Sequence, residues 1–449
     1  MTAEPVLLSA GPIAPIGHHP LLVLLLQVSL LLLLAIVLGR LAGRIKMPAV
    51  VGELCAGVLV GPSILHHALP GVSDWLFPQQ AEQTHMLDAV GQFGVILLVG
   101  ITGIELKFGL VRRRGATAAR VSLAGLLLPL GLGVATGLLL PSSMVPRGVD
   151  PATFSLFLGV AMCVTAIPVI AKTLIDMNLL HRDIGQLTLA SGVVDDIAGW
   201  FLLSVVSAMA TASITGGAIA VALLYPLALV AFAALVGRPL VRLALRAAGR
   251  SPEAAPTVAV VTFIVLLSAA VSQALRLEAV FGAFVGGVLI GTSAELDVKK
   301  LVPLRTTVLA FLAPLFFAMA GLRMDLTALR KPAVLVTAVV VLAVAIIGKF
   351  AGAYIGARLS KLGRWEALAL GAGMNARGVI EVIVAMTGLR LGVLTIDTYT
   401  VIVLVAIVTS VMAPPILRVA MARTEDAAAA ALEAKDEDEA PTGEAPAKL

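Results

Sequence analysis

From residue 20 to residue 420 the sequence is a succession of apolar segments, about thirteen in all, each suited to crossing a lipid bilayer as a helix. A helix rises 1.5 Å per residue, so a hydrocarbon layer ~30 Å thick takes roughly 20 apolar residues. The segments lie near 20–39, 47–65, 86–106, 116–140, 152–174, 184–210, 216–237, 256–275, 278–293, 303–322, 332–357, 365–388 and 397–420. The ninth is short, and Pro314 interrupts the tenth. A soluble chain of 449 residues would need far more polar surface than this one has. Charged residues make up 13% of it, against about 25% in soluble domains. The fold class expected is an all-α polytopic membrane protein.

The first apolar run is not expected to be a cleaved signal. No basic residue precedes it, and Arg40, Arg44 and Lys46 follow it, a pattern that leaves the N-terminus outside. Loops after odd-numbered spans are basic, with Arg112–Arg114, Arg182, Arg238 to Arg250, Lys299, Lys300 and Arg358 to Arg364. The opposite loops are poorer in Lys and Arg, except after span ten, where Arg323, Arg330 and Lys331 fall on the expected outer side. The positive-inside bias puts the C-terminus in the cytoplasm of a cell-membrane protein. Residues 1–19 are read as an extracytoplasmic N-terminus and 20–423 as the membrane domain. The Ala-rich acidic stretch 424–449 is read as a disordered cytoplasmic tail. Cys55 and Cys163 lie in apolar runs and read as small core residues. His18, His19, His66, His67, His85 and His181 fall in loops or near span ends.

Against this background a few charges stand out. Asp195 and Asp196 are adjacent in "SGVVDDIAGW", Lys349 lies in "VAIIGKFAGAYIGA", and Arg377 and Glu381 share "GAGMNARGVIEVIV". A charge at the bilayer centre costs about 2.5–3.5 kcal/mol even on the lenient insertion scale, so such residues face a partner or a polar cavity. Glu53 and Glu105 sit nearer a face and are expected to reach the cytoplasmic interface. One Lys neutralises one Asp and leaves the other acid to be explained. Neighbouring helical residues point about 100° apart, which suits two different roles for the two aspartates. Arg377 and Glu381, at i and i+4, are expected to form a structural pair.

Helix breakers mark two spans. Span five contains "CVTAIPVIAK", where Pro168 lacks a backbone donor and its ring clashes with the carbonyl of Val164. Span twelve contains "GAGMNARGV", with Gly373 and Asn375 at its centre. Broken backbone inside a bilayer is tolerated only where protein or a polar cavity satisfies it. Spans five and twelve are seven apart, so they cross in opposite directions, as inverted repeats require. Interrupted helices in corresponding positions of two halves point to a transport site near the midplane.

These stretches carry a family resemblance. "CVTAIPVIAKTLIDMNLLHRDIGQLTLASGVVDDIAGW", "MPAVVGELCAGVLVGPSIL" and the segment beginning "MNARGVIEVIVAMTGLRLG" resemble the monovalent cation:proton antiporters. The branch is that of bacterial sodium/proton antiporters, potassium efflux systems and plant cation/proton exchangers. The resemblance implies a homodimer whose subunits each pair a dimerisation domain with a six-helix core holding two crossed, broken helices. It implies Na⁺ or K⁺ and H⁺ as substrates, Asp196 as the ion-binding carboxylate, and Asp195 paired with Lys349. An Asp–Asp pair implies electrogenic exchange. Span six carries that pair and no nucleotide-binding segment follows span thirteen here, so gating by glutathione is not expected.

On this reading a proton and a hard cation compete for the oxygens of Asp196, and Thr165 with carbonyls freed near Pro168 completes an oxygen shell. Two other transport readings are weighed, a cation-coupled symporter of an organic solute and a cation channel or sensor. Buried titratable acids with a countercharge favour a carrier. An enzyme is not expected: an intramembrane aspartyl protease takes its two acids from different helices, and here they are adjacent. No cofactor, resident metal or nucleic-acid partner is implied. Membrane lipid is the expected surrounding.

Overall fold

A proline within an apolar helix has to be absorbed somewhere, and two of the spans absorb it with a widened turn. In the computed structural model, which describes residues 16–45, 47–78, 80–106, 108–165, 167, 170–171, 174, 182–211 and 216–439, the helix over Val302–Thr307 opens into a π turn at Val308–Leu312. It resumes as Ala313–Leu322 with Pro314 in its first turn. The same device at Ala233–Gly237 precedes Pro239 and joins Gly216–Phe232 to Arg238–Gly249. A π turn spreads the missing donor over an extra residue and keeps the helix continuous.

Each predicted span contains a helix, with further short helices at Leu65–Ala68 and Pro70–Leu76. The helices of the first six spans are α1 His18–Arg44, α2 Ala49–Val60, α3 Ala81–Glu105, α4 Phe108–Leu139, α5 Pro151–Cys163 and α6 Asp183–Thr211. α7 and α10 are the two runs with π turns described above, α7 beginning at Gly216 and α10 at Val302. α8 is Ala255–Ala274, α9 Ala279–Gly291, α11 Pro332–Leu359 and α13 Ile396–Glu439. The twelfth is divided into α12a, Arg364–Met374, and α12b, Val379–Arg390, bent by 42°. Among the described residues ten helices are long and apolar enough to cross a membrane, eleven with the bent pair, and α5 and α9 are shorter apolar helices. No strand occurs among the described residues.

Apart from α7, which packs on both α6 and α8, the helices divide by packing into two groups. α1, α2, α3, α8, α9 and α10 pack mainly on one another, and so do α4, α5, α6, α11, α12 and α13. Within each group the pairing is repeated. α1 lies on α2 as α8 lies on α9, α2 lies on α10 as α9 lies on α3, and α4 and α11 pack directly together. An offset of seven thus maps one set of pairs onto the other, the layout that the broken spans suggest.

The first group is held by backbone contact. A Cβ on Gly57 of α2 would lie 1.8 Å from the carbonyl oxygen of Ala318, and one on Gly321 of α10 would lie 2.0 Å from that of Leu54. In the related crossing, a Cβ on Gly287 of α9 would meet the Gly100 oxygen at 2.1 Å. Small residues let apolar helices approach this closely. Van der Waals attraction between the apposed backbones then takes the place of the hydrophobic drive that lipid does not supply.

Two of the basic residues after span ten have acidic partners. Arg323 pairs with Asp88, and Lys331 Nζ lies 3.1 Å from Asp397. Acids on the same face therefore offset the departure from the charge bias. Glu105 meets Arg305 at 2.6 Å on the opposite face. The last helix continues to Glu439, where an irregular tail is expected from residue 424. Ala and Glu are strong helix formers, and this segment is rich in both.

Candidate functional site

The two interrupted spans meet at the centre of the second group. α5 begins with Asp150 accepting from the Thr153 N–H at 2.9 Å, and it ends at Cys163 with Val164 extended at ψ 158°. Val164 carries the carbonyl that a proline four residues later leaves without a donor. Pro168 itself lies outside the described residues, as does His181. α12a ends at Met374, and residues 375–378 form the break before α12b. Asn375 is at that break. Gly373 is still helical, and a Cβ there would press to 2.9 Å from the Thr188 methyl.

A helix end inside a membrane exposes carbonyls that have no partner in the helix. Here two buried cations take them. Lys349 donates to the Cys163 carbonyl, and Arg377 donates to the carbonyls of Ala161, at 3.3 Å, and Met162. A third bond from Arg377 reaches the Ala345 carbonyl of α11 at 3.1 Å. Positive charge at a helix C-terminus is favoured by the helix dipole. The N-terminal turn of α12b carries Glu381, whose carboxylate accepts from Arg377. Ser410 of α13 donates to the carbonyl of Arg377 and fixes the break from the other side.

Asp195 has partners on both carboxylate oxygens. Its Oδ2 accepts from Lys349 and, at 2.6 Å, from the Thr165 hydroxyl, while Oδ1 accepts from Ser122 of α4. Asp195, Lys349 and Asp196 are all fully buried. Neither oxygen of Asp196 has a hydrogen-bond partner among the described residues. The structure thus brings Thr165 to Asp195, where the sequence suggests the shell of Asp196. Asn375 donates from Nδ2 to the Ile346 carbonyl at 3.4 Å, and its Oδ1 is also without a partner among the described residues.

Small residues on α6 make room for the broken helix. A Cβ on Gly199 would stand 2.8 Å from Val164, and one on Gly192 would stand 3.0 Å from Ile167. Ser122 and the accepting carbonyls of Ala161 to Cys163 escape a reading of the sequence. A serine in an apolar helix is common, and a carbonyl belongs to every residue.

The charges at the crossing do not balance. Asp195, Asp196 and Glu381 face Lys349 and Arg377, and all five are at most 1% exposed. Two carboxylates have a cation in contact, and Asp196 has none among the described residues. An ionised carboxylate buried without a countercharge is prohibitive, so Asp196 requires a proton or a cation. Hard cations prefer oxygen ligands of this kind.

A family model described as "Sodium/hydrogen exchanger, transmembrane" matches residues 29–423. The Na(+)/H(+) antiporter NhaS4 of Synechocystis sp. is 31% identical over 89% of this chain and 97% of its own length. Cation/H(+) antiporter 19 of Arabidopsis thaliana is 31% identical over 88% of the chain. K(+)/H(+) antiporter 1 of Saccharomyces cerevisiae is 26% identical over 92%. The chain spans about half the length of the plant and yeast proteins. The solved sodium proton antiporter MjNhaP1 of Methanocaldococcus jannaschii shares the fold, with a TM-score of 0.66 at 16% identity, over 90% of this chain and 99% of that one.

Proposed function

The chain belongs to the sodium/hydrogen exchanger family, and from that premise we propose that it exchanges a monovalent cation, Na⁺ or K⁺, for protons across the cell membrane. The observation that carries the site assignment is the uneven treatment of two adjacent buried acids. Asp195 is held by Lys349, Thr165 and Ser122, and Asp196 is left with both oxygens free of protein partners among the described residues. Asp196 is the carboxylate that a proton and a cation occupy in turn.

Exchange follows from that competition. Only the neutralised site, protonated or cation-loaded, passes between the two faces, because a bare carboxylate cannot be carried through a low dielectric. Obligate occupancy couples the two fluxes. The two groups of helices, packed chiefly within themselves, are the bodies whose relative movement gives alternating access. Lys349 balances Asp195 when no cation is bound and releases it, with a proton, when one arrives, which makes the cycle electrogenic. Arg377 and Glu381 hold the crossing together.

The N-terminus lies outside and the C-terminus in the cytoplasm, in keeping with the basic loops. A homodimer is the working unit. The outer face of α1, with Leu22, Leu25 and Leu33 exposed, meets lipid or a second copy. The test is an imposed pH gradient in everted vesicles, reported by a trapped dye and challenged with Na⁺ and K⁺ in turn. Cation-driven dissipation by the wild type, lost in Asp196→Asn at equal abundance in the membrane, supports the assignment. Full activity of Asp196→Asn removes it.

A further inference from the structure

Hydroxyls buried in apolar helices normally return a hydrogen bond to the carbonyl four residues back. Thr136 bonds Leu132, Ser155 bonds Pro151, Thr188 bonds Ile184 and Thr409 bonds Val405 in this way. Two serines on α6 depart from the pattern. Ser204 is 0% and Ser207 2% exposed, and neither hydroxyl has a hydrogen-bond partner among the described residues. The indole N–H of Trp200, 1% exposed, is in the same condition.

These groups are not scattered. Asp196, Trp200, Ser204 and Ser207 stand at intervals of four, four and three residues, which is one face of a helix. At 1.5 Å per residue the row is about 16 Å long, roughly half of the ~30 Å hydrocarbon layer. It starts at the carboxylate and runs toward Thr211, the end of α6 that the loop charges assign to the extracytoplasmic side. In the other direction the hydroxyls are satisfied. Thr188 bonds its own helix, and Ser191 reaches the Ala118 carbonyl at 3.5 Å. The row also lies where the two groups of helices meet, since the Trp200 ring packs on Phe284 of α9 with centroids 5.9 Å apart.

A buried polar atom without a partner costs about 1–3 kcal/mol. Three in line beside a carboxylate in the same condition mark a place where water supplies the missing bonds. We infer that the α6 face from Trp200 to Ser207 is a hydrated half-pathway by which cations and protons pass between the extracytoplasmic face and Asp196. The inference rests on the exchange reading above and adds a route, with its side, to that site. Ser207 and Ser204 replace part of the cation's water shell along the way, and Trp200 Nε1–H orients the water next to Asp196.

The test is thiol labelling. Ser204→Cys and Ser207→Cys, compared with the unsubstituted chain whose Cys55 and Cys163 set the background, are exposed to a membrane-impermeant cationic methanethiosulfonate on one side at a time. Labelling of both from the extracytoplasmic side, with loss of exchange on modification, is the expected result, while Thr188→Cys stays unlabelled from that side. Absence of labelling in variants that still exchange overturns the route, and so does labelling from the cytoplasmic side alone. In a second measurement the double variant Ser204→Ala with Ser207→Ala should slow exchange about tenfold, the scale of one lost polar contact, and a wild-type rate contradicts the inference. Failure of the exchange reading itself looks different, because the unsubstituted chain then shows no cation-driven pH change at all.

Discussion

Lys349 and Asp195 form an ion pair with both side chains fully buried, and the same ammonium group also caps the carbonyl of Cys163 at the end of α5. The contact ties α11, α6 and the broken fifth span together at one point. It also sets two adjacent acids apart, because the lysine pairs with Asp195 and neither oxygen of Asp196 has a hydrogen-bond partner among the described residues.

Replacing Lys349 by Gln should therefore change the charge carried more than the ability to carry. Exchange persists at a reduced rate, and charge moved per cation falls. The measurement is current on a solid-supported membrane set against pH-dye flux in the same preparation. An unchanged ratio removes Lys349 from the proton count.

Arg377 supports more than Glu381. Its removal strands a buried carboxylate and the carbonyls of Ala161, Met162 and Ala345. Breaking a buried pair from one side costs about 3–5 kcal/mol, so Arg377→Ala should unfold at markedly lower temperature in detergent. The double variant Arg377→Ala with Glu381→Ala should recover part of that loss. Equal melting of Arg377→Ala and the wild type would show that water takes over these bonds without penalty.

Thr165→Val removes the 2.6 Å bond to Asp195 and keeps the volume. A hydrogen bond to a charged group is worth about 1.5–3 kcal/mol, so the maximal exchange rate should drop about tenfold or more. Thr165→Ser should restore most of it. A valine variant with wild-type kinetics would mean that Lys349 and Ser122 suffice to hold Asp195.

The helix crossings of the first group are sensitive to one carbon atom. Gly57→Ala puts a methyl 1.8 Å from the Ala318 oxygen, and overpacking of this kind costs about 1–3 kcal/mol. Gly131→Ala, where nothing lies within 4 Å, adds up to about 1 kcal/mol of helix propensity. Thermal melting of the two variants should move in opposite directions, and a shared direction would contradict the close crossing.

What is legible in the sequence is what a bilayer makes expensive. Asp195, Asp196, Lys349, Arg377 and Glu381 are conspicuous because each charge in an apolar run needs a reason, and the structure gathers all five at one crossing. Ser122 costs little wherever it sits, so nothing in its neighbourhood announces its bond to Asp195. The backbone carbonyls that Lys349 and Arg377 cap are invisible in a sequence, since every residue has one. With 42 glycines in the chain, composition cannot single out Gly57, Gly287 and Gly321, which matter because a particular carbonyl lies opposite each. Sequence alone centres the break in span twelve on Gly373 and Asn375. The helix in fact tolerates Gly373 and ends one residue past it, where Asn375 and Arg377 find partners outside the helix.

The central claim is that Asp196 gives up a proton when a cation binds, and purified protein in weakly buffered detergent solution tests it directly. Addition of Na⁺ or K⁺ should acidify the solution by at least one proton per chain, saturably. Asp196→Asn should release none, although Asp195, Lys349 and the rest of the crossing remain. Saturable proton release by Asp196→Asn equal to that of the wild type would contradict the account.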